Sequence, residues 1–340
     1  MMATIREVAA RARVSVGTVS NVLSGAVPVS KRLRERVLAV VQELDYQPNQ
    51  LAQSLKSRQT KMIGMVIRDI THPLFAPMMR GAQDAAWLQN YLLVMLDSDR
   101  QLEREQQILA ALRTRRVDGI LLAATGIEQA HVRAICEAGI PVVCLERELP
   151  GLGIDCVIAD HFEGARKCVA HLAACGNRSI AFLHGDTSDW IERERFGGYR
   201  QGLEDAGVEF DQSLQAGDHS GSDEGYRAAA ALLDRRPRPA AILAADATVA
   251  AGLLRAVRDR GLRCPHDITI AAFDDPFSCD VLRPRITAVA QPSYHMGSKA
   301  MEILLKRIQD PDRRRSTVTL ETELHVRESS ACSAAGSGAA

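Results

Sequence analysis

Apolar positions in the first sixty residues recur at helical spacing. Ile5, Val8, Ala9 and Ala12 fall on one helical face, and Thr4 with Glu7 three residues later is a capping box that opens the helix. Val14-Ser15 interrupts the pattern. Ser15 is the natural N-cap of a second helix reaching Leu23, with Val19, Val22 and Leu23 turned inward. Ser24–Pro28 reads as a turn, and Ser30 caps a third helix carrying Leu33, Val37, Val40, Val41 and Leu44. Two short helices braced by a third form a helix-turn-helix unit. Asn49 could cap one or two further turns bearing Leu51, Ala52 and Leu55, a segment too short to be a stable helix alone in water.

From Lys61 the pattern changes to short apolar runs alternating with longer amphipathic ones. Strands are expected at Met62–Ile67, Leu92–Leu96, Gly119–Ala123, Val142–Leu145, Cys156–Ile158, Ser179–His184, Ala241–Ala244, Thr269–Phe273 and Thr287–Val289. Helical segments lie between most of them, the signature of parallel sheets covered on both faces. That many strands suit two similar lobes better than one sheet. The predicted class is α/β, an all-α helix-turn-helix head followed by a two-lobed domain. In such folds ligands sit at the carboxyl ends of the strands.

Charge sharpens the division. The 340 residues carry no net charge, yet residues 1–61 hold ten Lys/Arg against four Asp/Glu, a surplus of six that the remainder must cancel. A basic head on an acidic body points to a polyanionic partner for the head, although a basic helix face can also be merely solvated. The second helix turns Ser15, Val16, Gly17, Thr18, Ser20 and Asn21 outward. These small or hydrogen-bonding side chains let a helix approach base edges and phosphates closely, and a helix N-terminus attracts phosphate. A protein-binding three-helix bundle is the other reading. No apolar run approaches the roughly 18 residues needed to span a bilayer, and Arg6, Glu7 and Arg11 interrupt the N-terminus where a secretory signal would be apolar, so a cytoplasmic location is expected. No two of the eight cysteines form a C-x-x-C pair, which leads us to expect reduced thiols and neither a zinc site nor a disulfide framework. Dinucleotide, P-loop, zinc-protease and serine-hydrolase signatures are missing. No catalytic residue, metal ligand or cofactor is therefore assigned.

Strand ends carry polar residues suited to a polyhydroxylated ligand. Asp69 to Phe75 follow the first strand, and Asp97 and Asp99 the second. Glu146-Arg147 follow Val142–Leu145, Trp190 and Arg195 follow Ser179–His184, Asp246 follows Ala241–Ala244, and Asp274-Asp275 follow Thr269–Phe273. Carboxylates accept hydroxyl protons, arginines donate to sugar oxygens, and aromatics cover an apolar sugar face. Acids at such positions can also simply cap helices, as Asp246 and Asp275 could. His72 and His184 are the two histidines near cleft positions.

Three ordered motifs in the head, V-S-x-x-T-V-S-x-V-L from Val14, V-S-x-x-x-R-x-R-V from Val29 and L-x-Y-x-P-N-x-x-A-x-S-L from Leu44, resemble the DNA-binding head of the LacI/GalR family of bacterial transcription regulators. The resemblance implies that Val16, Gly17 and Asn21 read bases, and that Thr4, Ser15, Thr18 and Ser20 mainly contact phosphate. Many family members carry arginine where this chain has Asn21, and asparagine prefers adenine where arginine prefers guanine. It further implies that Asn49 opens a hinge helix and that Leu55 wedges into the minor groove of a bent duplex.

The body carries P-L-F at Pro73–Phe75, D-G-I-L-L at Asp118–Leu122 and R-x-x-G-Y at Arg195–Tyr199. A-A-D-A-x-x-A-x-G at Ala244–Gly252, F-D-D at Phe273–Asp275 and P-R-I-T-A-V-A-Q-P at Pro284–Pro292 follow. These resemble the regulatory domain of the same family, which is similar to periplasmic sugar-binding proteins. The resemblance implies effector contacts at Leu74, Phe75, Glu146, Arg195 and Asp274, and the strand-end reading adds Arg147, Trp190 and Asp246 as candidate effector contacts. Arg147, Ile242 and Ala245 fall on positions that vary between members. Purine-binding members carry aromatics at the positions of Leu74, Arg147 and Ile242, and none of these is aromatic here. A sugar, polyol or sugar acid is the expected effector. The implied organisation is a head over 1–48, a hinge over 49–60, a two-lobed periplasmic-binding-protein-like domain over 61–330 and a disordered tail over 331–340. With no leucine heptad at the C-terminus, a homodimer on palindromic double-stranded operator DNA is expected. A sugar-binding or sugar-metabolising protein with a fused helical module is the competing reading.

Overall fold

The computed structural model describes residues 3–24, 27–46, 59–126, 128–216, 221–275 and 281–332, in two compact units, one ending at Thr60 and the other starting at Lys61. The first unit holds helices α1 (Ile5–Ala12), α2 (Val16–Ser24) and α3 (Lys31–Glu43). The capping box is formed: the Glu7 amide donates to Thr4 Oγ1 at 3.3 Å and the Thr4 amide to Glu7 Oε2 at 2.6 Å. Val8, Ala9, Ala12, Val19, Val22, Val37, Val40 and Tyr46 form a small shared core. Those residues are the helical-period positions, and burying them is what holds three helices of 8, 9 and 13 residues that would be marginal alone.

The second unit contains two six-stranded sheets. Strands β1 (Met62–Ile67), β2 (Leu92–Asp97), β3 (Gly119–Leu122), β4 (Val142–Leu145) and β5 (Asp155–Ala159) belong to the first sheet, with β11 (Thr317–Leu320), in the order β11-β5-β4-β3-β1-β2. All its pairs are parallel. Strands β6 (Ile180–Leu183), β7 (Gln215–Ala216), β8 (Ala241–Ala244), β9 (Thr269–Phe273), β10 (Thr287–Ala290) and β12 (Glu323–His325) form the second, in the order β12-β10-β9-β8-β6-β7, with β12 antiparallel. Helices α4 (Phe75–Trp87), α5 (Leu102–Thr114), α6 (Ala130–Glu137) and α11 (Ser293–Gln309) cover the first sheet, while α7 (His161–Ala174), α8 (Trp190–Asp205), α9 (Ser222–Leu233) and α10 (Ala247–Asp259) cover the second.

The chain therefore passes between lobes three times, after β5, after β10 and between β11 and β12. α4 and α11 pack at very short range. A Cβ on Gly297 would lie 1.8 Å from the Met78 carbonyl oxygen, and one on Gly81 would lie 1.9 Å from that of Tyr294, so only glycine fits either position.

Three strands departed from the sequence reading. β7, β11 and β12 have two to four residues and are half-exposed, so they lack the apolar run that announced the others. The expectation of reduced cysteines also fails at one pair, because Cys175 and Cys332 are joined in a disulfide. Their separation of 157 residues gave no local spacing to read. The C-terminal segment returns over the second lobe, where Ser329 Oγ donates to the Ile270 carbonyl at 2.7 Å, and this brings Cys332 to the end of α7. The expected tail at 331–340 thus begins with a bonded residue, and 333–340 lie outside the described residues.

Candidate functional site

In the head, the Thr18 amide donates to Ser15 Oγ at 3.1 Å, so Ser15 caps α2 as its sequence position required. Val16 is 42% exposed at the first turn of that helix, with Ser15 and Gly17 exposed beside it and Thr18, Ser20 and Asn21 half-buried. An exposed β-branched side chain on a basic head gains nothing in the isolated unit. It is free to meet an apolar surface such as a thymine methyl. Thr4 is exposed at the capped start of α1, at the positive end of that helix's dipole. Asn49 and Leu55 lie outside the described residues.

In the second unit, the carboxyl ends of strands from both sheets meet around a cavity of about 250 Å³. Six of the eight predicted positions line it: Leu74, Phe75, Glu146, Arg195, Asp246 and Asp274. Leu74 and Phe75 are buried at the start of α4 and give the cavity an apolar wall. Arg195, 4% exposed, is held from several sides. Its Nη1 donates to the Ala245 carbonyl at 2.5 Å, its Nε to His161 Nδ1 at 3.3 Å, and its guanidinium carbon sits 4.3 Å from the centre of the Phe273 ring. Glu192 and Asp274 lie 3.7 and 4.0 Å from it. Asp274 accepts from Gln291 Nε2 at 2.6 Å and faces His72 Nε2 at 3.5 Å. Glu146 and Asp274 both have φ values in the left-handed region, 68° and 62°, which few non-glycine residues adopt. Such strain persists where the surroundings over-determine a side chain's direction, and here it falls on two carboxylates of one cavity. Asp246 caps α10 by accepting from the Thr248 and Val249 amides at 2.7 and 2.8 Å, and it lines the cavity as well.

Charge is organised around these groups. Arg68 Nη2 donates to Glu146 Oε2 at 3.0 Å and Arg147 Nη2 to Asp189 Oδ2 at 2.7 Å, the latter joining the two lobes. Burial pushes the Asp189 carboxyl up, but Arg147, Arg68 and the Ile191 amide outweigh it and hold it below the usual carboxylate range. Burial raises Glu192. Burial, with Arg195 adjacent, holds His161 well below the ordinary histidine range, so it is neutral and accepts from Arg195.

Arg147 and Trp190 are brought together elsewhere. They line a second cavity of about 220 Å³ beside the first. Asp275 is paired with Arg327 at 2.6 Å and His325 at 2.5 Å, Ile242 is fully buried in the core of the second lobe, and His184 packs against Phe182 and Phe196. None of these three lines the first cavity, and neither do Asp97 and Asp99. Sequence reasoning missed Arg68, Arg100, Asp186, Asp189, Ile191 and Glu192 as lining residues. Arg68 is the first polar residue after β1, the signal used for the other strands. Asp189 is the N-cap immediately before Trp190 and was readable as such. Arg100 reaches the cavity from a loop that no spacing marks. Among the described residues no cluster of three or more His, Cys, Asp or Glu is placed to hold a metal ion, and no helix is long and apolar enough to cross a membrane.

Comparison with known proteins matches residues 4–49 to the family described as bacterial regulatory proteins, lacI family, and residues 169–330 to the periplasmic binding protein-like domain. A ribose operon repressor of Halalkalibacterium halodurans is 33% identical over 327 residues, covering 96% of this chain and 97% of its own. A transcriptional regulator CelR solved as a cellobiose complex is 31% identical with a TM-score of 0.75, covering 96% of this chain and 99% of its own. The Lac repressor dimer solved bound to operator and the anti-inducer ONPF is 26% identical with a TM-score of 0.86, covering 97% of this chain and 99% of its own. With a DNA-binding head, a two-lobed body and regulators rather than enzymes as relatives over almost its full length, the chain belongs to the LacI family of bacterial regulatory proteins.

Proposed function

We propose that this protein is a homodimeric repressor of carbohydrate transport or catabolism genes. It works in the cytoplasm, binds a palindromic operator through α1 and α2, and is controlled by a sugar, polyol or sugar acid in the cavity between its lobes. The observation that carries the reading is the Arg195–Asp274 pair, the first residue near the start of α8 and the second at the end of β9: a buried guanidinium fixed by five partners, one of them a strained carboxylate. Donor and acceptor at that spacing suit vicinal hydroxyls, and Leu74 and Phe75 supply the apolar wall a sugar face needs. Relatives named as a ribose repressor and a cellobiose complex support a carbohydrate. A dimer is supported by apolar side chains left in water: Trp87, Leu88 and Leu92, at the end of α4 and on the edge strand β2, are 75%, 78% and 56% exposed. In the head, Thr4, Ser15, Thr18 and Ser20 take phosphate and Val16, Gly17 and Asn21 take base edges, with Asn49 and Leu55 contributing from the hinge segment.

The test is selection of bound duplexes from a random pool, followed by titration of the selected palindrome. A dimer making about 6–10 phosphate contacts loses roughly 10³–10⁵ in affinity between about 50 and 200 mM salt. A panel of pentoses, hexoses, disaccharides, polyols and uronates is then screened for ligand-dependent stabilisation and for change in operator affinity, by about 5–150-fold for an ordinary coupling. No selected palindrome, or a salt-independent affinity, overturns the DNA-binding assignment. Indifference to every compound overturns the effector class.

A further inference from the structure

The C-terminal segment runs as a strap across the second lobe. Arg327 grips Asp275 through hydrogen bonds of 2.9 and 2.6 Å, next in the chain to the cavity carboxylate Asp274. Ser329 Oγ accepts from the Thr287 amide at 2.8 Å, and Ser330 Oγ lies 2.6 Å from Thr287 Oγ1. Cys332 then fastens the strap to Cys175, the C-cap of α7. The loop closed in this way contains two of the chain's three passages between lobes, with α11 and β11 of the first lobe inside it. Cys332 is exposed and Cys175 half-buried, so small molecules in solution can reach the bond.

The surroundings of Cys175 suit a thiol as well as a disulfide. Its sulfur lies 3.5 Å from the Ser330 carbonyl oxygen and within 4.0 Å of both ring nitrogens of His171. A disulfide sulfur carries no proton, so neither group has a hydrogen bond to make with it. A thiol uses both: the carbonyl accepts its S–H, and the imidazole takes its proton. Burial holds His171 below the ordinary histidine range, so the ring is neutral and able to act as that base. Cys264 touches the same strap, donating to the Ser329 carbonyl at 3.4 Å, but burial pushes its thiol up to about 12 and keeps it protonated and inert.

We infer that Cys175 and Cys332 are a reversible oxidation site, closed by a hydroperoxide and opened by a dithiol, whose state decides whether the strap is fastened. This rests on the cytoplasmic location proposed above, where disulfides are opened by reductants and those that form are mostly catalytic or sensory. His171 takes the proton of the Cys175 thiol, and the thiolate attacks the peroxide O–O bond. Sulfur gains oxygen as a sulfenic acid, and the departing hydroxide recovers the proton from His171 as water. The Cys332 thiol then attacks the sulfenic sulfur, the S–S bond forms, and hydroxide leaves with the Cys332 proton as a second water. Two thiols have lost two electrons and two protons, and one peroxide has become two waters. A dithiol reverses the change by exchange and is itself left as a disulfide.

The test uses the full-length protein, reduced with dithiothreitol, freed of it and exposed to hydrogen peroxide, with alkylation and peptide mapping after timed intervals. Two thiols should disappear together, a peptide joining 175 to 332 should form, and dithiothreitol should restore both thiols without denaturant. The reduced form should melt about 4–16 °C below the oxidised one and exchange its 323–330 amides faster. Cys175→Ser and Cys332→Ser should each melt like the reduced wild type with or without peroxide. His171→Gln should slow closure at least about tenfold and leave the final yield unchanged, a split that loss of a packing contact does not produce. Thiols that persist under peroxide, a link from either cysteine to a different one, or a bond that native dithiothreitol cannot open overturns the site. Coincident melting and exchange of the two forms overturns the fastening of the strap, and an unchanged rate in His171→Gln overturns the role of the base. None of these readouts involves operator or sugar, so their failure leaves the proposed function standing.

Discussion

Replacing Arg195 by alanine gives the most direct measure of how the cavity is built. The residue is 4% exposed and is joined to the Ala245 carbonyl, His161, Glu192, Asp274 and the face of Phe273. Its removal strands the buried Asp274 and the half-buried Glu192 without this cation, and Glu192 is already raised by desolvation. Breaking a buried pair from one side costs about 3–5 kcal/mol, because the remaining charge keeps its desolvation penalty. At about 2–4 °C per kcal/mol for a unit of this size, the melting temperature of the second unit should fall by about 6–20 °C. Ligand at about 100 times its dissociation constant stabilises wild type by about 2.7 kcal/mol. That increment should vanish in the variant, since the donor to the ligand is gone. The assay is differential scanning calorimetry with and without the tightest sugar from the panel. Arg195→Lys serves as a second variant: it keeps the charge, restores part of the stability, and still loses most of the ligand increment, because an ammonium lacks the planar fork. A variant that melts within about 2 °C of wild type and keeps the full ligand increment would refute both the structural and the binding role.

Three further outcomes follow from other parts of the molecule. Asn21→Arg should move the preference at one operator position from adenine to guanine, by about 1–3 kcal/mol, read from selected duplexes; an unchanged preference removes Asn21 from base readout. His161 is neutral in the fold and its pKa is depressed below 6.5, so the unfolded chain takes up a proton first as pH falls. Stability contributed by the neutral ring is therefore complete above about pH 6.5 and declines below it, by up to about 1.4 kcal/mol per pH unit, and His161→Gln should flatten that part of a urea-midpoint profile. Gly297→Ala forces a Cβ into the Met78 carbonyl and should cost at least about 1–3 kcal/mol, whereas a urea midpoint matching wild type would show that α4 and α11 separate freely.

The chain's periodicity determined its elements because each element's burial is one-sided or complete. The 3.6-residue recurrence of Val8, Ala9 and Ala12, and the unbroken runs such as Ile120–Leu122, are the imprint of a core that exists in the fold. Capping positions were equally legible at Thr4, Ser15 and Asp246, since a cap is satisfied within three residues. Strand-end polarity then led to Glu146, Arg195, Asp246 and Asp274, because parallel sheets bring their carboxyl ends to one edge whatever the helices between them, and the family resemblance led to Leu74 and Phe75. Local sequence left other contacts unwritten. β11 and β12 are short, half-exposed edge strands whose place depends on pairing with β5 and β10, more than thirty residues away. The Cys175–Cys332 bond depends on the return of the C-terminal segment over the second lobe. The Arg147–Asp189 pair and the position of Trp190 behind it depend on how the two lobes meet. Periodicity and capping act over one or two turns of chain and are recorded in adjacent residues, whereas the meeting of two lobes sums many weak contacts between distant segments, so only the folded chain decides which strand-end residues share a cavity.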